Sequence, residues 1–327
     1  MINKIPVTIL TGYLGSGKTT ILNYILKENH GKKIAVIENE FGEKNIDSEF
    51  VIHQKENIYQ MTNGCICCNV RDDLVKTLQD IIKLNYNFES IIIETTGVAD
   101  PNPILHTFKQ IAFLGEHFEI DSIICVIDSK NIQRQIERSI EVKKQISSSN
   151  LYVLSKADLA SNEEIIWAQN KIMSLNPSAE THLSSNANFD IDKIFMRGLF
   201  RTKIAVPAFF KKPRSAMPIF TKIQNADHEE GVESMSLELA GKMDEMLLNL
   251  WLNILFERAS DEIYRMKGIL FLDDNLQKTF LQCVHDFVEL VPSDDITDQD
   301  LKINQIVIIG KNLNREMIEI GFKSCIK

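Results

Sequence analysis

The chain has no apolar run approaching the ~18–20 residues that cross a bilayer, which excludes a helical membrane protein. It has no excess of basic charge. Its 36 Lys and Arg stand against 45 Asp and Glu, a net charge of −9, and general nucleic-acid binding needs a basic footprint instead. Cysteine is scarce, six in 327 residues, too few and too unevenly placed for a secreted disulfide framework. There is no internal repeat and no low-complexity segment, and the balance of hydrophobic and charged residues is not that of a disordered tail or a collagen-like fibre. The first residues, Met1-Ile2-Asn3-Lys4, run straight into Ile5-Pro6-Val7-Thr8-Ile9-Leu10. They offer neither a long apolar core nor a small-residue cleavage site, so no signal peptide is predicted and the cytoplasm is the expected location.

What is present is an ordinary globular balance, 44% hydrophobic and 25% charged, over a length that suits about two domains. The charge is not evenly spread. Residues 1–216 carry 25 Lys and Arg against 25 Asp and Glu, whereas residues 217–327 carry 11 against 20. The whole acidic excess lies in the last third, which points to two units of different character.

Hydrophobic patterning agrees. Ile5–Thr11, Lys33–Ile37, Ser90–Ile93, Ser122–Ile127 and Leu151–Leu154 read as strands. Between them Lys18–Lys27 and Val70–Leu84 have helical periodicity, and Pro103 opens another helix, where its missing N–H costs nothing. Alternating strands and helices predict an α/β fold with a mostly parallel sheet flanked by helices. Pro207, Pro213 and Pro218 punctuate a non-periodic stretch. We therefore expect a first domain over 1–200, a linker over 201–217 and a smaller α+β domain over 218–327. The linker is basic from Arg201 to Arg214 and is read as a solvated segment. The last domain is expected to have four strands, around 234–239, 263–272, 279–290 and 303–309, and two helices. The first helix, 243–258, would bury Met246, Leu247, Leu250, Ile254 and Leu255; the second spans 314–325.

Gly12-Tyr13-Leu14-Gly15-Ser16-Gly17-Lys18-Thr19 fits G-x-x-x-x-G-K-[ST] in full, between a predicted strand and a predicted helix, the context that motif requires. Gly12, Gly15 and Gly17 let backbone N–H groups, Ser16 included, turn toward phosphates, and the helix N-terminus adds its positive end. Lys18 neutralises the β- and γ-phosphates, the Thr19 hydroxyl ligates Mg²⁺, and Thr20 follows in the same helical turn. Such a loop needs an acid near the metal and a sensor for the γ-phosphate. Ile91-Ile92-Ile93-Glu94-Thr95-Thr96-Gly97 supplies both, Glu94 at a strand end and Gly97 with a backbone N–H. Leu151–Leu154 runs into Ser155-Lys156-Ala157-Asp158. The Asp158 carboxylate would accept from guanine N1–H and the 2-amino group, and the Lys156 stem would pack on the ring. Adenine has no such donor pair, so GTP is the expected nucleotide. GTPases usually carry Asn where this chain has Ser155, and the exchange is expected to weaken the bracing of the loop.

Gly64-Cys65-Ile66-Cys67-Cys68 crowds three thiols before the helix at Val70. A helix N-terminus favours thiolate, and three soft ligands suit Zn²⁺ or Cu⁺. No second Cys or His pair accompanies them, so the site would be open, completed by carboxylates, a partner or water. Redox thiols and a merely structural cluster are the rival readings. Glu38-Asn39-Glu40-Phe41-Gly42-Glu43 follows the second strand, at the edge where ligands bind, though composition alone reads it as a solvated loop. Cys125, Cys283 and Cys325 sit singly among apolar residues and are read as buried small hydrophobes.

Taken in order, Gly12–Thr19, Glu38–Glu43, Gly64–Cys68, Glu94–Gly97 with Asp100-Pro101, Ser155–Asp158, and further on Arg265-Met266-Lys267-Gly268 and Ile308-Ile309-Gly310 resemble the CobW-type P-loop GTPases, most of all their YjiA branch. The resemblance covers nearly the whole chain. It implies a metal-binding GTPase of the metallochaperone kind, with GTP, Mg²⁺ and Zn²⁺, or Co²⁺ or Ni²⁺, as its ligands. It makes Glu38, Glu43, Cys65, Cys67 and Cys68 the metal candidates, against the solvated-loop reading of the two glutamates, and puts Asp47 where the family has a switch acid near Mg²⁺. Some members carry a His-rich loop near the domain junction; this chain has only His228 there. The partner implied is a client metalloprotein, with no nucleic acid, no membrane, and self-association left open. With no Arg or Gln clearly placed to stabilise the transition state or orient water, hydrolysis unaided should be slow. Two rivals stand beside this reading: a metal buffer or sensor that uses nucleotide only to set its shape, and an ATP-dependent small-molecule kinase, which Asp158 disfavours.

Overall fold

The computed structural model describes residues 4–27, 32–39, 53–55, 58–63, 70–84, 86–176, 180–185, 188–200, 233–259, 262–272, 278–284, 287–292 and 303–327. The chain divides into two compact units, Met1–Lys171 with Ala179–Thr202, and Ile172–Ser178 with Lys203–Lys327.

In the first unit the strands are β1 (Ile5–Thr11), β2 (Ile34–Asn39), β3 (His53–Lys55), β4 (Ile58–Asn63), β5 (Ser90–Glu94), β6 (Phe118–Asp128), β7 (Leu151–Ser155) and β8 (Glu180–Leu183). The helices are α1 (Lys18–Lys27), α2 (Val70–Lys83), α3 (Asn102–Gln110), α4 (Ala112–His117), α5 (Ile132–Arg138), α6 (Ile140–Ser148) and α7 (Asn162–Leu175). The strands form one sheet in the order β3-β4-β2-β5-β1-β6-β7-β8. All neighbours are parallel except β3, which runs antiparallel to β4. This is the expected P-loop architecture. Strands covered on both faces by helices must be apolar throughout, and Ile91, Ile92, Ile123, Ile124, Leu151 and Val153 are fully buried.

Helix α1 lays Ile21, Leu22 and Ile25 on Leu10, Ile92 and Val126 of the central strands, the face its spacing predicts. Helix α2 likewise buries Leu74, Leu78 and Ile81. Each such side chain contributes ~1.5–3 kcal/mol on leaving water, and together they fix the start of α1 beneath the end of β1. Pro103 lies in the first turn of α3, as its missing N–H predicts. Helix α7 opens with a reciprocal cap: the Glu164 N–H donates to Ser161 Oγ and the Ser161 N–H to Glu164 Oε2. No helix among the described residues is long and apolar enough to cross a membrane.

The second unit contains β9 (Glu233–Ala240), α8 (Glu245–Ala259), β10 (Ile263–Phe271), β11 (Lys278–Val284), β12 (Phe287–Pro292), β13 (Ile303–Gly310) and α9 (Arg315–Ser324). Its strands form an antiparallel sheet in the order β12-β11-β10-β13-β9. Two expectations are corrected here. The run 279–290 is not one strand but the pair β11 and β12, with Val284 opposite Phe287, so the described residues of this unit hold five strands rather than four. The face assigned to α8 is largely the wrong one. Met246 is 79% exposed and Leu250 54%, and Leu247 and Ile254 are exposed with them. Leu248, Trp251, Leu252, Leu255 and Phe256 make the core contact instead. The helix is apolar nearly all round, so periodicity could not choose a face. Trp251 decides it by size: it packs at a tilt against Phe322 of α9, ring centroids 5.5 Å apart, over Gly321, where a Cβ would lie 2.2 Å from the indole nitrogen. Cys125, Cys283 and Cys325 are buried, and burial pushes the Cys125 thiol up to about 12.

Candidate functional site

Parallel strands deliver their last residues to one edge of the sheet, and the sequence places its polar residues there. Strand β1 ends at Thr11, and the chain turns through Gly12–Gly17 into α1. Gly12, Gly15 and Gly17 have φ of 142°, 71° and 96°, values at which an L side chain is strained. At Gly12 space is limiting as well, because a Cβ would lie 2.2 Å from the Val126 carbonyl oxygen. The Gly17 carbonyl accepts the first helical bond, from the Ile21 N–H. The N–H groups at the start of α1 have no partner within the helix and face the loop, the usual arrangement for phosphate.

Lys18 is buried and donates from Nζ to the Gly12 carbonyl at 2.8 Å. Burial lowers its pKa, and the Glu94 carboxylate pulls it back up. Glu94, at the end of β5, accepts a 2.9 Å bond from Thr19 Oγ1. Hydroxyl and carboxylate oxygens in contact at a phosphate loop are the hard donor set Mg²⁺ takes. Ser16 Oγ is fully buried beneath the loop with no hydrogen-bond partner.

The register carries the sheet edge further. Glu38 of β2 is the Cα partner of Glu94 of β5. Neighbouring strands are ~4.8 Å apart, and parallel partners present their side chains on the same face. The half-buried Glu38 therefore stands beside the acid that holds Thr19. Of the metal candidates Glu38 alone falls within the described residues; Glu43, Cys65, Cys67 and Cys68 lie outside them, as do Asp47, His228 and the basic stretch 201–214. Among the described residues no group of three or more His, Cys, Asp or Glu side chains is arranged to hold a metal.

After Glu94 the backbone turns over Thr96–Ala99, closed by a 3.1 Å bond from the Ala99 N–H to the Thr96 carbonyl. Gly97 lies so close to the phosphate loop that a Cβ there would approach the Leu14 backbone nitrogen to 2.7 Å. Only glycine lets these two backbones meet, which brings the Gly97 turn against the phosphate loop at Leu14.

At the other end of the site, β7 leads into the Ser155–Asp158 turn. Ser155 Oγ donates to the Ser16 carbonyl at 2.6 Å and lies 3.1 Å from the Ile127 carbonyl. The serine therefore ties the Ser155–Asp158 turn to the phosphate loop directly. Lys156 adopts φ of 54°, rare for a side-chain-bearing residue. Its Nζ explains how the conformation is held, donating to the Gly15 carbonyl at 2.8 Å and to Asp128 Oδ2 at 2.7 Å. Burial raises the Asp128 pKa, but the bonds from Lys156, Asn131 and the Lys130 N–H outweigh it and leave the carboxyl below its ordinary range. Asp158 is exposed at the mouth of the turn. Sequence reasoning missed Asp128, although its signal was legible: β6 is an apolar strand ending in an acid, as β5 is.

Two family models match the chain. The CobW/HypB/UreG nucleotide-binding domain covers residues 6–182, and the C-terminal domain of cobalamin synthesis protein cobW covers 232–326. The chain belongs to the CobW/HypB/UreG family. The Zinc chaperone YjiA of Escherichia coli (strain K12) is 31% identical over 324 residues, 98% of each chain. The Zinc-regulated GTPase metalloprotein activator 1 of Schizosaccharomyces pombe is 30% identical, over 96% of this chain and 84% of that protein. The crystal structure of Zn(II)-bound YjiA GTPase from E. coli superposes with a TM-score of 0.79 at 27% identity, over the whole of both chains. As a CobW-family member the chain thus pairs a P-loop nucleotide-binding unit with an antiparallel C-terminal sheet.

Proposed function

We propose that this GTPase binds a zinc ion and passes it to a client protein, with the nucleotide state controlling the transfer. The names of its relatives support zinc and GTP hydrolysis. The observation that carries the coupling is the Glu38–Glu94 register. It sets a candidate ligand of the cargo metal beside the acid of the nucleotide site.

The proposed roles are specific. Lys18 and the N–H groups at the start of α1 hold the β- and γ-phosphates. Thr19 and Glu94 hold Mg²⁺, which would neutralise charge on the phosphate oxygens during hydrolysis. The Gly97 N–H contacts the γ-phosphate. Lys156 and Asp158 hold the guanine, Asp158 by accepting two bonds from its edge. Water attacks the γ-phosphorus, the bond to the β-γ bridging oxygen breaks, and GDP and phosphate leave. Among the described residues no arginine reaches the Gly97 side of the loop in any hydrogen bond or ion pair, so a slow basal rate is expected. Zinc is the cargo, held by Glu38, Glu43, Cys65, Cys67 and Cys68; cobalt and nickel suit the same mixed set. A resident buffer or sensor without a client is the second reading, and it shares the same site.

Zinc titration against a chromogenic chelator, in the wild type and in Cys67→Ala, tests the site. Loss of the tight zinc in the variant, with GTP hydrolysis retained, supports it. A tight zinc that survives Cys67→Ala removes the thiol motif from the proposal.

A further inference from the structure

The turn that follows Glu94 does not stand alone. Gln145, on α6, is 1% exposed and donates from Nε2 to two main-chain carbonyls of that turn, Ala99 at 3.0 Å and Gly97 at 3.3 Å. The orientation of the amide is fixed by chemistry, because two facing carbonyls can be satisfied only by the NH₂ end. Its Oε1 is buried with no partner. A buried amide with one half unsatisfied costs free energy that an apolar side chain of the same shape would avoid. The position therefore favours a donor rather than filler. Beside it Lys144 approaches Asp100 at 3.7 Å, a second link between α6 and the same segment.

We infer that Gln145 is a positioning residue for the γ-phosphate contact: by fixing the Gly97 and Ala99 carbonyls it sets the peptide direction at the turn, and with it the aim of the Gly97 N–H. The Thr96–Ala99 bond closes the turn and Gly97 packs on the Leu14 backbone; the two further bonds from a helix of the same unit hold its carbonyls directly. Gln145 is thereby distinguished from the water-orienting glutamine of other GTPases, since its amide hydrogens are committed to the backbone. The same arrangement makes α6 sensitive to nucleotide state, because any displacement of the turn on γ-phosphate loss must break or carry Gln145. The inference rests on the reading of Gly97 as a γ-phosphate contact.

The test is the ratio of affinities for a non-hydrolysable GTP analogue and for GDP, measured with fluorescent nucleotides. Gln145→Met keeps the length of the side chain and removes the donor. Gln145→Glu keeps the shape and places an acceptor before the two carbonyls. Both should retain GDP affinity within about twofold and lose about tenfold in affinity for the GTP analogue, the worth of one to two neutral hydrogen bonds, with kcat falling in parallel. A wild-type ratio in both variants overturns the inference, as does an equal loss for GDP and the analogue, which would mark a structural role only. Gly97→Ala separates the underlying reading. If it too keeps the wild-type ratio, Gly97 does not sense the γ-phosphate and both fail. If it loses the ratio while the Gln145 variants keep it, only the positioning role fails.

Discussion

Replacing Ser155 by alanine removes one oxygen from the point where the base-reading turn meets the phosphate loop. In the wild type that hydroxyl donates to the Ser16 carbonyl at 2.6 Å, with the Ile127 carbonyl 3.1 Å away. Ser155 is buried, as is Ser16, so water does not replace the lost donor without opening the loop. Leaving a buried carbonyl unpaired costs ~1–3 kcal/mol. The bond is present without nucleotide, so its loss lowers the melting temperature of the ligand-free protein, and the nucleotide affinity falls by the part of this energy that the free loop recovers on relaxing, at most about 5- to 150-fold. Ser155→Asn, the residue common in other GTPases, should not restore binding. The hydroxyl already sits at bonding distance, and a longer side chain between Ser16 and Ile127 overpacks the gap. Titration with fluorescent GDP, which avoids turnover, and thermal denaturation measure both effects. GDP affinity and melting temperature unchanged in Ser155→Ala would refute the claim that serine braces this loop.

Asp158→Asn should shift preference from GTP toward xanthosine triphosphate, since an amide can donate to the xanthine oxygen; competition binding with the two nucleotides checks it, and retained GTP preference removes Asp158 as the base reader. Asp128 has its pKa held below the ordinary value, so its contribution to stability is complete above pH ~4 and is lost as pH falls through the depressed value. The stability difference between wild type and Asp128→Asn, from urea melts at several pH values, should therefore shrink below pH ~4, and a constant difference would show that the charge of Asp128 contributes nothing. Trp251→Ala should cost ~3–5 kcal/mol of the second unit's stability, whereas Leu250→Ser, at an exposed position of the same helix, should stay within ~0.5 kcal/mol; denaturant unfolding distinguishes them.

The phosphate loop was legible because its chemistry leaves no choice of residues. Three glycines are needed for positive φ, and a strand must end where a helix begins. The parallel sheet was legible for a related reason, since strands covered on both faces must be apolar from end to end. What was hidden depends on contacts between distant residues. That Ser155 could serve for asparagine follows from the closeness of Ser16, set by β6 pairing with β1 on one side and β7 on the other. Gln145 carried no local signal, being one polar residue in a short helix. Helix α8 misled because Met246, Leu250 and Ile254 repeat at helical spacing as regularly as Leu248, Leu252 and Leu255 do. Only Trp251 against Gly321 identifies the inner face, and that requires α9 to be in place. The division of 279–290 into two strands was invisible because His285-Asp286 is not one of the strong hairpin signals.

On the proposed reading, nucleotide and cargo metal share one edge of the sheet and influence one another. Glu38 and Glu94 are register partners, so with Glu38 as a ligand of the metal, as proposed, a change at the nucleotide site would reach it across a single strand spacing. The measurement that tests this most directly is the zinc affinity of the wild-type protein, by chelator competition with Mg²⁺ present, in GDP and in a non-hydrolysable GTP analogue. The two affinities should differ by roughly 5–150-fold, a coupling of ~1–3 kcal/mol, with the reciprocal effect of zinc on nucleotide binding equal in size. Equal zinc affinity in the two nucleotide states would contradict it, leaving a GTPase that carries metal without gating it.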